Sequence, residues 1–177
     1  MAHYAQISDP ALDAKVRARY AQEIASLQKL GFHYLASCLE SQGPLSAIWQ
    51  LPVLLLTLSK KELLVFPPPI RLGVANALLS HTDPPTIALC MGMGVKLYAY
   101  FGDGTLLVSS TFRSYAVPHP RSTIIKPAPS ATIAEAWVNH SAAVRNMAHS
   151  RGTVTRLSTF DDYIKLSLQE EDRSQYQ

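Results

Sequence analysis

His140 is the residue of this chain whose type and position come nearest to chemistry. It recurs with Ile133, Trp137, Val144 and Met147 on one face of a helical stretch, so an ionisable ring falls on an apolar stripe. Burial there lowers its pKa and keeps it neutral, which suits either a hydrogen-bonded core histidine or a ligand contact, and the core reading is preferred. The six histidines, His3, His33, His81, His119, His140 and His149, show neither His-x-x-x-His nor His-x-His spacing, so no pair of imidazoles is set on one metal. Ser109, Ser110 and Thr111 lack a Gly-x-Ser-x-Gly elbow and are explained by cross-strand hydrogen bonding. Gly92-Met93-Gly94 lacks the third glycine of a dinucleotide loop and precedes a strand, so it reads as a bend or bulge. The sequence thus offers no catalytic, cofactor-binding or metal-binding set. Its candidates for ligand or partner contact are His140, Trp137, Tyr98, Tyr100 and Trp49.

The stretch that must position them is Val95 to Phe112, a β-hairpin with Asp103-Gly104 at its tip. Asp-Gly between hydrophobic runs signals a type I′ turn, because Gly104 adopts positive φ freely. A two-residue loop sets Phe101 opposite Leu106, Ala99 opposite Val108, Leu97 opposite Ser110 and Val95 opposite Phe112. One face is then apolar; the other, with Lys96, Tyr98, Tyr100, Leu107, Ser109 and Thr111, is half wet or covered by something amphipathic.

Upstream, Asp9 as N-cap, Pro10 at the first helical position and Gly31 past the end delimit one helix. Its inward stripe is Leu12, Val16, Tyr20, Ile24 and Leu27. Phe32 to Cys38 and Lys61 to Phe66 read as strands, Pro67-Pro68-Pro69 as a rigid connector, and Asp83-Pro84-Pro85 as a turn before the strand Thr86 to Met91. Downstream, Thr132 and Glu135 form a capping box for the helix carrying His140, which Gly152 ends. Thr153 to Arg156 adds an edge strand. Ser158 caps a last helix with Phe160, Tyr163, Ile164 and Leu168 inward, and 171–177 is a polar, frayed tail.

Ser41 to Ser59 carries no charge. Gln50 and Pro52 interrupt it, and Leu45 to Leu58 falls short of the roughly 20 apolar residues a bilayer needs. A buried central helix is preferred to an interfacial membrane element anchored by Trp49 and Lys60-Lys61. The whole is expected to be a single α+β domain over 1–170: a mostly antiparallel sheet centred on the hairpin 95–112, flanked by N-terminal, central apolar and C-terminal helices.

Of 177 residues, 47% are hydrophobic and 16% charged, which excludes a disordered chain. The net charge of +3 is spread without basic-aromatic clustering, so nucleic acid is not an expected partner. Cys38 and Cys90 lack Cys-x-x-Cys partners and read as buried small hydrophobes in a reducing compartment. With no apolar export signal at Met1 to Asp9, the expected location is the cytoplasm, or else the cytoplasmic face of the inner membrane through 41–59.

Leu30-Gly31-Phe32 after the first helix, Phe101-Gly102-Asp103-Gly104-Thr105 with Leu106 to Ser110, and the helix carrying His140 resemble a family of bacterial proteins that has no assigned activity. The likeness runs from Leu30 to Gly152. Its motifs are a helix stop, a hairpin turn and a core helix, so it implies a fold rather than a reaction. Three functions follow as expectations. The first is a non-enzymatic module that binds a protein partner or a second copy of itself through the amphipathic hairpin face. The second is a membrane-peripheral protein held by 41–59, and the third an enzyme with His140 in an internal polar pocket. No cofactor is expected, and the sequence names no small ligand.

Overall fold

The computed structural model describes residues 3–41, 64–65, 73–112, 124–125 and 127–172. The fold is α+β. An eight-stranded sheet runs in the order β1 (His3–Gln6), β2 (His33–Ser41), β4 (Gly73–Thr82), β5 (Pro85–Met91), β6 (Gly94–Tyr100), β7 (Leu106–Ser110) and β8 (Ile124–Ile125), with β3 (Leu64–Val65) beside β4. Every pairing is antiparallel except that of β7 with β8. Residues 42–59, with Trp49 and the expected central apolar helix, lie outside the described residues, as do Pro67 to Pro69. Among the described residues no helix is long and apolar enough to cross a membrane.

The N-terminal helical stretch is two helices, not one: α1 (Pro10–Arg19) and α2 (Ala21–Lys29). Asp9 caps α1 by accepting from the Ala11 N–H at 2.9 Å. The break falls at Tyr20 (φ −101°, ψ 23°). Its buried hydroxyl needs an acceptor, and it donates to the Ala75 carbonyl on β4 at 3.1 Å. The apolar spacing continues across the break, with Val16, Tyr20, Ile24 and Leu27 all buried.

The hairpin between β6 and β7 has a three-residue loop. Gly104 N–H donates to the Phe101 carbonyl at 3.0 Å and Phe101 N–H donates to the Thr105 carbonyl at 2.9 Å. Gly104 has φ +86°, whereas Asp103 stays at negative φ and accepts from the Thr105 N–H at 2.8 Å. This is a type I turn followed by a glycine bulge, not the type I′ turn expected. The extra residue moves the register by one: Tyr100 pairs with Leu106, Ala99 with Leu107, Tyr98 with Val108, Leu97 with Ser109 and Lys96 with Ser110. Relative to β6, each side chain of β7 therefore lies on the face opposite to the one expected.

Thr153 to Arg156 is no full strand. A single bridge joins Val154 to Phe101, flanked by Gly102 N–H to the Thr153 carbonyl (3.0 Å) and Thr155 N–H to the Tyr100 carbonyl (2.7 Å). The helix carrying His140, α3, spans Ile133–Arg151 and the last, α4, spans Phe160–Asp172. Thr159 rather than Ser158 caps α4. Its Oγ1 accepts from the Asp162 N–H at 3.1 Å, and the Asp162 carboxylate accepts from the N–H groups of Ser158 and Thr159.

Alternation along β4, β5 and β6 gives the sheet two buried faces. Ala75, Ala77, Ala88, Cys90, Val95 and Leu97 pack with Val16, Tyr20, Ile24 and Leu27 of α1 and α2 and Ala136 of α3. Ala99, Phe101 and Leu107 continue that face under Val144 of α3. The opposite face carries Cys38, Leu78, Ile87, Leu89, Tyr98, Leu106 and Val108 against Leu157 and the α4 residues Tyr163 and Leu166. The second hairpin face is thus not wet: α4 covers it. The two cysteines sit on opposite faces and are both free.

Candidate functional site

The site is built where α3 crosses β6 and β7. Thr132 caps α3 by accepting from the Glu135 N–H at 3.1 Å, and the Glu135 carboxylate accepts from the Ala131 N–H at 2.9 Å, one residue earlier than in a strict capping box. Two turns on, His140 is wholly buried. Its Nδ1 is hydrogen-bonded to Ser109 Oγ at 2.9 Å. That contact follows from the bulged loop, which places Ser109 rather than Ser110 opposite Leu97 and so under α3. Nε2 is buried and has no partner among the described residues. Burial alone pushes the pKa of His140 down to about 3. The ring is neutral at physiological pH, with either an N–H or a lone pair left unpaired at Nε2.

A serine bonded to an imidazole is the beginning of a nucleophilic site, but the chemistry needs more. The base must be strong enough to take the hydroxyl proton near neutral pH, and its second nitrogen must be oriented by another group. Here burial has made the imidazole a weak base, its second nitrogen holds no partner, and Ser109 is 6% exposed. The pair is a polar tie between α3 and β7.

Outward from His140 the site becomes aromatic. Trp137 lies nearly parallel to the His140 ring, with centroids 6.3 Å apart. On its other sides it meets Phe32 edge-on at 4.9 Å and His81 at 4.5 Å, and Phe32 and His81 are themselves 4.9 Å apart. Phe32 is buried, whereas Trp137 and His81 are half-buried, with Leu30 and Ile133 partly buried beside the same core. Three elements converge because Gly31 lets the chain turn sharply from α2 into β2. Its φ is +91°, and a Cβ there would come within 3.0 Å of His81 Nε2, so glycine satisfies both the backbone and the ring.

Hydrogen-bond roles at this rim are well defined. Asp83 N–H donates to His81 Nδ1 at 3.1 Å, so in the neutral ring the proton is on Nε2. Among the described residues neither His81 Nε2 nor the Trp137 indole nitrogen has a partner, and both side chains are half-buried. Of the three rings Phe32, His81 and Trp137, His81 alone carries a side-chain acceptor, Nδ1, and it is already used.

Of the candidates read from the sequence, His140 and Trp137 come together. Tyr98 and Tyr100 do not: they lie on the opposite face, where the buried Tyr98 ring meets Tyr163 at 6.4 Å. Trp49 lies outside the described residues. Sequence reasoning missed Ser109, Phe32 and His81. Phe32 had a signal in its place just after the helix-stopping Gly31, whereas Ser109 depended on the register and His81 on β4 ending beside α3.

Elsewhere, burial pushes both cysteine thiols up and out of reactive range. Tyr34 ties α1 to β2: its hydroxyl donates to Asp13 at 2.7 Å, sits 2.6 Å from Ser37 Oγ, and its ring carries the Arg17 guanidinium at 4.0 Å. Against the upward pull of burial, the bonds from Tyr34 and Ser37 and the Arg17 charge hold the Asp13 carboxyl below its ordinary range. No group of His, Cys, Asp and Glu among the described residues could hold a metal.

No protein family, no curated protein and no solved structure matches this chain, so a functional reading rests on its own residues.

Proposed function

We propose that this chain is a non-catalytic protein-binding module whose contact surface is the half-buried Trp137–His81 rim rather than the hairpin face. The observation that supports this reading is the pair of N–H donors, on Trp137 and His81, that have no partner among the described residues at a half-buried aromatic cluster. Amphipathic aromatic side chains with a polar tip are enriched at interfaces, because they bring contact area at little entropic cost together with a directed hydrogen bond. The titratable and nucleophilic groups nearby are instead committed to the fold: His140 to Ser109, and the two thiols to opposite cores. Buried free thiols also favour a reducing, cytoplasmic setting.

The test is an unbiased selection of displayed peptides on the folded chain, repeated with Trp137→Ala. Sequences enriched on the native chain and lost with Trp137→Ala are the expected result. Enrichment indifferent to Trp137 overturns the assignment of the surface. An ester-hydrolysing activity of the native chain that Ser109→Ala abolishes would replace the binding reading with an enzymatic one.

A further inference from the structure

α3 has a second face, opposite the one that packs on the sheet. Ala136, His140, Ser141 and Val144 are buried, whereas Glu135, Val138, Ala142, Arg145 and His149 are all exposed. Those five follow one another in steps of three, four, three and four residues, which draws a single seam along a helix. The middle of the seam is uncharged: from Ala136 to Val144 the helix has no Asp, Glu, Lys or Arg. Val138 stands there 62% exposed, although a β-branched side chain facing water lowers helix propensity and gains little from burial. We infer that this seam is a self-association surface, on which α3 of a second copy of the chain docks antiparallel.

Charge selects the occupant and its direction. Glu135 lies toward one end of the seam and Arg145 toward the other. A two-fold axis passing beside position 140 sets Val138 against Ala142 of the second copy and Glu135 against Arg145 of the second copy, each contact occurring twice. Apolar side chains then meet in the middle and opposite charges meet at both ends. A parallel pair would instead face Glu135 with Glu135 and Arg145 with Arg145, like charge on like charge. The short Ala142 side chain lets two helices pack at about 8 Å, the close end of the range for helix pairs. Glu135 is also held in place, because its carboxylate accepts from the Ala131 N–H at 2.9 Å, and a carboxylate takes further donors. A single helix pair centred on Val138 and Ala142 buries a small area, so the dimer is a weak one that forms at high concentration. The seam contains neither Trp137 nor His81 and is independent of the binding rim.

The experiment is sedimentation velocity of the full chain from about 10 μM to about 1 mM, the range of a weak dimer. The native chain should pass from monomer to dimer as concentration rises. Arg145→Glu brings two carboxylates together at each end and should weaken the dimer roughly tenfold or more. Glu135→Lys should do the same by bringing two cations together. Mixed in equal amounts, these two variants restore opposite charges at both ends, so a heterodimer should form at concentrations where each alone is monomeric. Val138→Lys, which touches no helix cap, should weaken association as much by placing a cation at the apolar centre. A thermal melt of each variant shows that it is folded. A native chain that stays monomeric at about 1 mM overturns the inference. So does a dimer that Arg145→Glu or Val138→Lys leaves intact, or a mixture of folded variants no more associated than its components. A dimer lost with Trp137→Ala but kept with Arg145→Glu also overturns it, and moves self-association to the rim.

Discussion

Under α1, α2 and α3 the sheet mixes small side chains, Ala75, Ala77, Ala88 and Ala99, with larger ones, Leu79, Val95, Leu97 and Leu107, and the helices add Tyr20, Ile24, Leu27 and Val144. Under α4 the alanines are missing: the sheet supplies Leu78, Ile87, Leu89, Tyr98, Leu106 and Val108. Small residues let helices approach a sheet closely, and that is the face on which the polar pair Ser109–His140 is enclosed and the aromatic rim formed. The face under α4 is an apolar seal. Close approach is what strips His140 of water, so the packing of one face creates the electrostatics of its only buried imidazole among the described residues.

Adjacent residues on β4 test the contrast most severely. Leu78→Ala opens a cavity on the α4 face and should cost about 2–5 kcal/mol. Ala77→Leu forces bulk between β4 and the N-terminal helices and should cost about 1–3 kcal/mol, with α1 and α2 displaced. Urea denaturation measures both. If Ala77→Leu is tolerated without loss, the helices do not press on the sheet as described.

The polar tie gives a second comparison, now within the helical face. Ser109→Ala or His140→Leu leaves the other partner unpaired and should cost about 1–3 kcal/mol. Removing both should cost clearly less than the sum, because no buried polar atom of the pair then remains. The pH dependence has a definite sign. The unfolded chain takes up the imidazole proton below its ordinary pKa of 6.5, whereas the folded chain resists it down to about 3. Stability from this residue is therefore complete above pH 6.5 and drains as pH falls toward 3, at up to about 1.4 kcal/mol per pH unit. His140→Leu should flatten that part of the stability profile, and an unchanged slope would show that the ring is not buried neutral.

The smallest effects separate the rim from the hairpin tip. Gly104→Ala meets nothing closer than the Tyr100 hydroxyl at 4.0 Å, so its cost is the left-handed backbone alone, about 1–2 kcal/mol. Gly31→Ala carries a similar backbone cost and also presses on His81 at 3.0 Å, so it should be worse and should alter Trp137 emission, which Gly104→Ala leaves unchanged. Melting temperatures and fluorescence read the two apart.

Much of the architecture was legible because its signals act over a few residues. Asp9 and Thr132 cap their helices as their side chains require, Gly31 and Gly152 take positive φ after helices, and the apolar spacing of Val16, Tyr20, Ile24 and Leu27 marks what is buried. The site was half legible. Helical phase alone put His140 and Trp137 on one face of α3. The same kind of reasoning placed Tyr98 and Tyr100 as contact residues, and α4 covers that face instead.

By itself, then, the sequence determined the starts of α1 and α3, the stops after α2 and α3, the hairpin and the periodicities, since each is decided by local backbone preference and by which side chains avoid water. Only the tertiary structure decided the register of β7 on β6. An Asp-Gly tip is compatible with two loop lengths, and the longer one is the loop that leaves Phe101 bridged to Val154 and Gly102 bonded to Thr153 some fifty residues on. That one-residue choice selected which serine lies beneath His140. It took the packing of α3 and β4 around Gly31 to bring His81 and Phe32 against Trp137, because contacts between residues so distant in the chain leave no mark on the spacing of either.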